Sequence, residues 1–139
     1  GKPLTFGTRG DTLVFGVPGN PVSSMVAFEL YVRPALLALQ GRQDVFRPWL
    51  FAESAEPVGR SKQRTEVRSC RLTHEDGRVR VTTTGPQGSG ILSSMAGADG
   101  VCFVPPGYPG GEAGTALLTM LLSGSGRERP PFPGTPSIG

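Results

Sequence analysis

The sequence predicts an α+β chain in which a short hairpin and a long apolar helix precede a small all-β, barrel-like domain. Three observations support this class. Apolar residues occupy nearly every face of a helix from Pro21 to Leu39, short strand-like runs separated by turn residues fill residues 48–122, and the last residues are mostly Gly, Ser, Pro and Arg. The predicted domains are residues 1–42, residues 47–122 and a disordered tail at residues 123–139.

The first part of the chain predicts a hairpin followed by one helix. The runs Leu4-Thr5-Phe6 and Leu13-Val14-Phe15 flank a Gly-containing turn, which is typical of two antiparallel strands. The helix that begins at Pro21 is so apolar that we expect it to pack against a sheet rather than lie on water. Pro34 removes one helical hydrogen bond and predicts a kink or break there, and Gly41 is a natural helix end.

The clearest strand pair in the second part runs from Val67 to Leu72 and from Val79 to Thr83. The dipeptide Asp76-Gly77 between these strands favours a two-residue primed turn, because such turns need residues that tolerate positive φ. Apolar positions change parity between Val67 and Cys70, which predicts a bulge one or two residues after Val67.

The remaining strands of the barrel-like domain have a buried composition. A strand is expected from Trp49, and Ile91 to Ala96 predicts one turn of helix. The fully apolar runs are Val101-Cys102-Phe103-Val104 and Ala116-Leu117-Leu118-Thr119-Met120-Leu121-Leu122. About five short strands of this kind predict a small β-barrel or β-sandwich.

The positive charge of the chain is local. The net charge is +3, and the window from Arg60 to Arg80 holds seven Lys or Arg against three acids (7 − 3 = +4). Such a window indicates either an anionic partner or a solvated surface. Nucleic acid is the less favoured partner, because the window contains no aromatic residue on which a base could stack. The basic residues are Arg60, Lys62, Arg64, Arg68, Arg71, Arg78 and Arg80.

Cysteine usage and hydropathy predict a reducing, cytoplasmic setting. Cys70 and Cys102 lie in strand-like runs without metal-ligand spacing, so we expect reduced core residues. The sequence shows no signal peptide and no uninterrupted run of 18 apolar residues, so no membrane partner is expected. The chain begins at Gly1 without an initiator Met, and we expect it to be a fragment or a processed piece.

The most informative stretch is Pro18-Gly19-Asn20-Pro21-Val22-Ser23, between a strand and the apolar helix. Asn20 is a good N-cap, Pro21 suits the first helical position, and Gly19 lets a ligand approach the backbone. The stretch therefore predicts either an ordinary capped turn or an anion site at the helix N-terminus.

Four motifs in series resemble the C-terminal part of the molybdopterin molybdenumtransferase family, which includes the gephyrin-type proteins. The resemblance extends from Gly1 to about Leu122. The motifs are Gly1-Lys2-Pro3-Leu4, the Pro18–Ser23 turn, the run from Phe28 to Leu36, and Gly85-Pro86-Gln87-Gly88-Ser89-Gly90-Ile91-Leu92-Ser93-Ser94-Met95.

The resemblance implies a fold and an activity. Residues 1–42 would be the end of a three-layer α/β molybdopterin-binding domain, and the β-barrel domain would follow it. The family inserts molybdate into adenylylated molybdopterin and releases AMP, with Mg²⁺ whose ligands lie outside this chain. It also implies a homodimer of the full-length protein and little turnover by this chain alone.

The resemblance also implies the site residues. Molybdate would bind Lys2, Pro3, Arg64 and Ser89, and no residue would act as a covalent catalyst. The residue after Glu66 is not the aromatic that the family usually has there, so the family's arginine could be Arg60 or Arg68 instead of Arg64. The residues implied for the pterin-nucleotide turn are Gly19, Asn20, Pro21 and Ser23.

A protein-interaction role remains a second hypothesis. Gephyrin-type proteins combine this architecture with partner binding, so the chain could serve as a scaffolding module.

Overall fold

An antiparallel hairpin opens the chain, as predicted. The structure, a computed structural model, describes residues 4–84 and 92–131. Strand β1 (Thr5–Arg9) pairs with β2 (Thr12–Gly16), and Phe6 lies opposite Phe15 with ring centroids 5.0 Å apart.

The predicted helix is built from three consecutive pieces. Helix α1 (Pro21–Ala27) continues into a π-helical segment (Phe28–Val32) and then into α2 (Arg33–Leu39). Pro34 lies in the first turn of α2, where a missing N–H costs least. The wider turn just before it confirms the break predicted at Pro34, because π-helical hydrogen bonds bypass the position that proline disrupts. Gly41 follows with a φ of +80°.

The second part is a closed five-stranded barrel, which confirms the predicted small all-β architecture. Neighbouring strands pair in the order β3-β5-β4-β6-β7, and only the β3–β5 contact is parallel among them. A short helix, α3 (Leu92–Ala96), stands between β5 and β6. The strands are β3 (Trp49–Ser54), β4 (Glu66–Glu75), β5 (Arg78–Thr83), β6 (Gly100–Val104) and β7 (Ala116–Leu121).

The β4–β5 turn has the predicted chemistry. Asp76 and Gly77 both take positive φ, at 50° and 74°. These values are those of the primed turn whose twist matches a hairpin. The turn therefore sets the register in which Glu75 pairs with Arg78.

Two apolar clusters hold the barrel. The inner cluster fills its interior and contains Ala52, Cys70, Val81, Cys102 and Leu117, with Val58 and Val104. The outer cluster covers one outside wall and reaches the helices. Its members are Met95, Val101, Phe103, Leu118 and Met120, with Val22, Leu30, Trp49, Val67 and Leu122 packed against them.

The predicted bulge after Val67 is wrong. The β4–β6 register runs without a slip from Glu66 opposite Val104 to Cys70 opposite Gly100. The change of apolar parity has another cause: Val67 belongs to the outer cluster, whereas Cys70 belongs to the inner one. A strand covered on both faces carries apolar residues at both parities.

The helical run is less covered than its sequence predicts. Val22 and Leu30 pack on the barrel wall, but Met25, Phe28, Tyr31, Leu36 and Leu39 are exposed. By length and composition alone, Pro21–Leu39 is a candidate membrane span of 19 residues with a mean hydropathy of 1.4. A core helix of a soluble protein meets the same criteria, so the absence of a membrane partner stays a prediction.

Three charged side chains, which we name the arginine clamp, join the helical run to the barrel. The Glu29 carboxylate accepts two hydrogen bonds from Arg47, at 2.7 and 3.0 Å, and lies 3.9 Å from Arg33. All three side chains are at least four-fifths buried. Burial and then the nearby Arg47 charge lower the pKa of the Arg33 guanidinium. The clamp therefore holds the π-helical segment against the residues that enter β3.

The clamp also holds part of the predicted tail. Arg33 donates to the Ser125 hydroxyl at 2.7 Å, and both arginines donate to the Gly124 carbonyl. Phe46 and Gly126 exchange two backbone hydrogen bonds. Residues 124–126 of the predicted tail are thus bound to the body, and residues 132–139 lie outside the described residues.

Glu29→Gln should lower the free energy of unfolding by about 1–3 kcal/mol, because it leaves two mostly buried guanidinium groups without their carboxylate. Urea denaturation followed by circular dichroism measures the change. Asp44→Asn is the matched control, since it breaks the exposed pair with Arg42 and should change stability far less. Equal decreases in the free energy of unfolding of the two variants would contradict a structural role for the clamp.

Candidate functional site

The turn before α1 forms the predicted cap. The Asn20 carboxamide oxygen accepts a hydrogen bond from the Ser23 backbone N–H at 3.1 Å, and Pro21 takes the first helical position. Pro18 is buried and Gly19 is exposed. Asn20 thus satisfies the Ser23 N–H, one of the N–H groups that a helix N-terminus leaves unpaired, and the anion site at this turn stays a prediction.

Segments far apart in the sequence meet beside this turn. A cavity of about 290 Å³ lies between α1, the start of β1 and the residues that enter β4. Leu4, which follows the Gly-Lys-Pro motif, and Thr65, which follows Arg64, both line it. The complete lining is Leu4, Pro18, Val22, Ser23, Val26, Ala27, Leu30, Tyr31, Thr65 and Val67.

The three candidate arginines have different surroundings. Arg60 donates to the Pro109 carbonyl at 3.1 Å, and Arg68 pairs with Glu66 at 2.9 Å. Arg64 is exposed and makes no hydrogen bond or ion pair with any part of the chain that the structure describes. Its guanidinium is therefore available to an anion, and its neighbour Thr65 lines the cavity.

Lys2, Pro3 and Ser89 lie outside the described residues, so the structure shows only their neighbours. Leu4 follows Lys2 and Pro3 and lines the cavity. Helix α3 follows Ser89, contacts α1, and contributes Met95 to the apolar cluster that contains Val22. The neighbours of all three predicted site residues thus lie close to α1.

Two acidic side chains of the barrel domain have shifted pKa values, Glu66, which the sequence placed beside the candidate arginines, and Glu56, which it did not single out. Hydrogen bonds from the hydroxyl and backbone N–H of Thr83 hold the pKa of Glu56 below its ordinary value of 4.5. The hydrogen bond from Arg68 likewise lowers the pKa of Glu66. The Glu56 contact has no local sequence signal, because it joins residues 27 apart in the chain, whereas Glu66 and Arg68 are two residues apart on β4.

The cysteines are free and buried, as predicted. A hydrogen bond from Cys70 to Cys102, together with burial, raises the pKa of the Cys70 thiol. Cys102 also lines a cavity of about 230 Å³ at the barrel end, with Glu56 and Arg68. Both thiols act as core residues of the inner cluster.

The described residues do not fit a magnesium site. Within residues 4–84 and 92–131, no three His, Cys, Asp or Glu side chains come together to hold a metal ion. The ligands for the Mg²⁺ that the resemblance implies are not supplied by this region.

Comparison with known proteins agrees with the resemblance. The protein-family model named MoeA C-terminal region (domain IV) matches residues 51–122. Molybdopterin molybdenumtransferase 2 of Mycobacterium tuberculosis is 32% identical over 123 residues, which are 88% of this chain and 30% of that protein. The molybdopterin molybdenumtransferase of Haemophilus influenzae is 33% identical over 109 residues, 75% of this chain and 26% of that protein.

The fold is similar to a solved relative. The crystal structure of a molybdopterin biosynthesis MoeA protein from Pyrococcus horikoshii aligns with a TM-score of 0.66 at 27% identity, covering 89% of this chain and 30% of that one. The chain therefore spans less than a third of the length of these relatives.

Glu56→Gln should lower the melting temperature near neutral pH and much less in acid. A carboxylate whose pKa is lowered by folding stabilises the protein above its unfolded pKa, here about 4.5, and loses that contribution as the pH falls through the folded value. Melting curves between pH 7 and pH 3 measure the difference. Glu75→Gln, at an exposed hairpin end, should leave the neutral-pH value nearly unchanged. A difference in melting temperature between wild type and Glu56→Gln that is as large at pH 3 as at pH 7 would contradict a stabilising role of the Glu56 carboxylate.

Proposed function

The chain belongs to the family of the MoeA C-terminal region (domain IV), and from that premise we propose that it supplies the molybdate-holding part of a molybdopterin molybdenumtransferase. The reaction would insert molybdate into adenylylated molybdopterin and release AMP. The observation that carries the proposal is the cavity beside α1, where Leu4, Ser23 and Thr65 meet. Leu4 and Ser23 belong to two of the motifs that carry the resemblance, and Thr65 adjoins Arg64, which the resemblance assigns to molybdate.

In this proposal molybdate binds Lys2, Pro3, Arg64 and Ser89. Arg64 is preferred to Arg60 and Arg68, because those two already bond protein oxygens. A planar guanidinium can hold two oxygens of a tetrahedral oxyanion at once, and a serine hydroxyl can donate to a third. The turn residues Gly19, Asn20, Pro21 and Ser23 face the pterin nucleotide, with the Asn20 cap keeping the turn rigid.

The role of these residues is electrostatic. A unit charge pair at 4 Å is worth about 1 kcal/mol in water and about 4 kcal/mol at an effective dielectric of 20. A cationic set therefore binds molybdate usefully only where water is excluded, and its contribution to the reaction is charge stabilisation without a covalent nucleophile.

The remainder of the reaction belongs to parts that this chain does not contain. The chain spans less than a third of its relatives, so we propose that the Mg²⁺ ligands and the rest of the nucleotide site lie in the remaining length of such a protein. The 139-residue chain alone would show little or no turnover. We further propose a cytoplasmic homodimer for the full-length protein.

A protein-interaction function is a second candidate. The exposed apolar side chains along the helical run favour it, because large apolar groups on a surface mark contacts with other proteins. Retention of a partner by the double variant Lys2→Met/Ser89→Ala would separate this function from oxyanion binding.

Arg64→Ala should weaken molybdate binding by about tenfold or more, because one charge-assisted contact contributes about 1.5–3 kcal/mol. The measurement is titration calorimetry with sodium molybdate on the natural polypeptide that contains this chain. Arg78→Ala is the matched control, since Arg78 is exposed on the far β4–β5 hairpin and pairs with Glu53.

Alanine variants of all three arginines should show which one binds molybdate. Arg60→Ala and Arg68→Ala should leave the molybdate affinity close to that of wild type. A loss of affinity in either of them, with none in Arg64→Ala, would transfer the role to that arginine. Unchanged affinity in Lys2→Met, Arg64→Ala and Ser89→Ala together would overturn the proposed function.

A further inference from the structure

The two cysteines of the chain meet inside the barrel. Cys70 lies in β4 and Cys102 in β6, and both are 0% exposed members of the inner cluster. Cys70 lies opposite Gly100, which has no side chain to separate the two thiols, and Cys102 is two residues further along β6, opposite Arg68. The cysteines therefore occupy diagonal positions on neighbouring strands, and Cys70 donates a hydrogen bond to Cys102.

The two thiols have different surroundings. Cys102 and Arg68 both line the cavity of about 230 Å³ at the barrel end, whereas Cys70 is not among the described residues that line it. The hydrogen bond from Cys70 and the positive charge of Arg68 lower the pKa of the Cys102 thiol, although burial opposes them. Cys102 is therefore the sulfur that forms a thiolate, and Cys70 keeps its proton.

The cavity is the route by which a small molecule approaches Cys102. It extends to Glu56 and Pro57 in the loop after β3, and Pro57 is exposed. Its volume exceeds the roughly 30 Å³ that one water molecule occupies in the liquid, so hydrogen peroxide fits. The lining suits a small polar solute, because it includes four polar side chains. These belong to Ser54, Glu56, Arg68 and Thr83.

We propose that Cys102 and Cys70 form a redox-active pair, in which a hydroperoxide oxidises Cys102 and Cys70 then closes a disulfide between β6 and β4. In the first step the Cys102 thiolate attacks a peroxide oxygen, the O–O bond breaks, a sulfenic acid forms and hydroxide leaves. In the second step the Cys70 sulfur attacks the sulfenic sulfur, the S–O bond breaks, and water leaves with the Cys70 proton. Two electrons pass from the sulfurs to the peroxide.

The disulfide is expected to be reversible. Diagonal positions on antiparallel strands lie further apart than directly opposite ones, so β4 and β6 must shift slightly when the bond forms. A disulfide that strains its surroundings is reduced more easily than a structural one. The reduced pair is then the resting state in a reducing setting, and oxidation is transient. This inference does not depend on the oxyanion site.

The test is exposure of the folded natural polypeptide that contains this chain to hydrogen peroxide, followed by blocking of free thiols and peptide mapping by mass spectrometry. Wild type should yield linked peptides that contain Cys70 and Cys102, and dithiothreitol should restore both thiols. Cys70→Ser should stop at the sulfenic acid, which dimedone traps on Cys102. Cys102→Ser should leave Cys70 unmodified. Two free thiols in peroxide-treated wild type, or a sulfenic acid trapped on Cys70 in Cys102→Ser, would overturn the proposal.

Arg68→Gln tests the charge beside Cys102. Oxidation should be slower by roughly threefold or more, because loss of the charge lowers the thiolate fraction more than it raises the nucleophilicity of the sulfur. Arg78→Gln is the matched control, since Arg78 is exposed on the β4–β5 hairpin and should leave the rate as in wild type. Equal rates in these two variants would overturn the role of Arg68.

Two further measurements separate oxidation of the folded barrel from damage to it. A buried serine can destabilise the core, so Cys70→Ala and Cys102→Ala are measured alongside the serine variants, because alanine removes the thiol without adding a hydroxyl. Circular dichroism checks that each sample is folded before peroxide is added. Linkage of Cys70 to Cys102 that occurs only in urea would show that the folded barrel excludes the oxidant, and would overturn the proposal.

Discussion

The structure depends on apolar contact between one outside wall of the barrel and the helices. Val101, Phe103 and Met120 are almost completely buried although they belong to the outer cluster rather than to the barrel interior. Strands β6 and β7 therefore carry apolar side chains on both faces, and the outer face needs α1 and α3 to exclude water. Because Val22 and Met95 provide that cover, the capped turn and the helix that follows Ser89 come to the same side of the barrel.

The arginine clamp fixes the orientation of the helical run on the barrel. Apolar contact is nondirectional and would tolerate a helix rotated or shifted on the wall. A bidentate contact between Glu29 and Arg47 is directional, and its geometry sets how the helical run meets the entry to β3. The clamp and the outer cluster therefore act on the same contact between the helices and the barrel. The outer cluster excludes water from this contact, and the clamp fixes its orientation.

Sequence patterns correctly predicted the local features of the fold, those that are set by residues adjacent in the chain. The Asn20 cap, the Asp76-Gly77 turn and the break at Pro34 each follow from the conformational preference of one or two residues. The bulge after Val67 was wrong because apolar parity cannot distinguish a bulge from a strand that is buried on both faces. The clamp and its hold on the tail could not be predicted, since Glu29 and Arg47 are 18 residues apart and Arg33 and Ser125 are 92 residues apart.

The same distinction applies to the candidate site. The resemblance selected residues by motif, and three of them, Lys2, Pro3 and Ser89, lie outside the described residues. Arg64 illustrates what geometry adds, because the sequence favoured it with Arg60 and Arg68 as alternatives, and the structure separates the three by their contacts. An arginine that already bonds a carboxylate or a carbonyl would have to break that bond before it could hold an oxyanion. An exposed arginine gives up only bound water, which is why the proposed molybdate site uses Arg64 rather than Arg60 or Arg68.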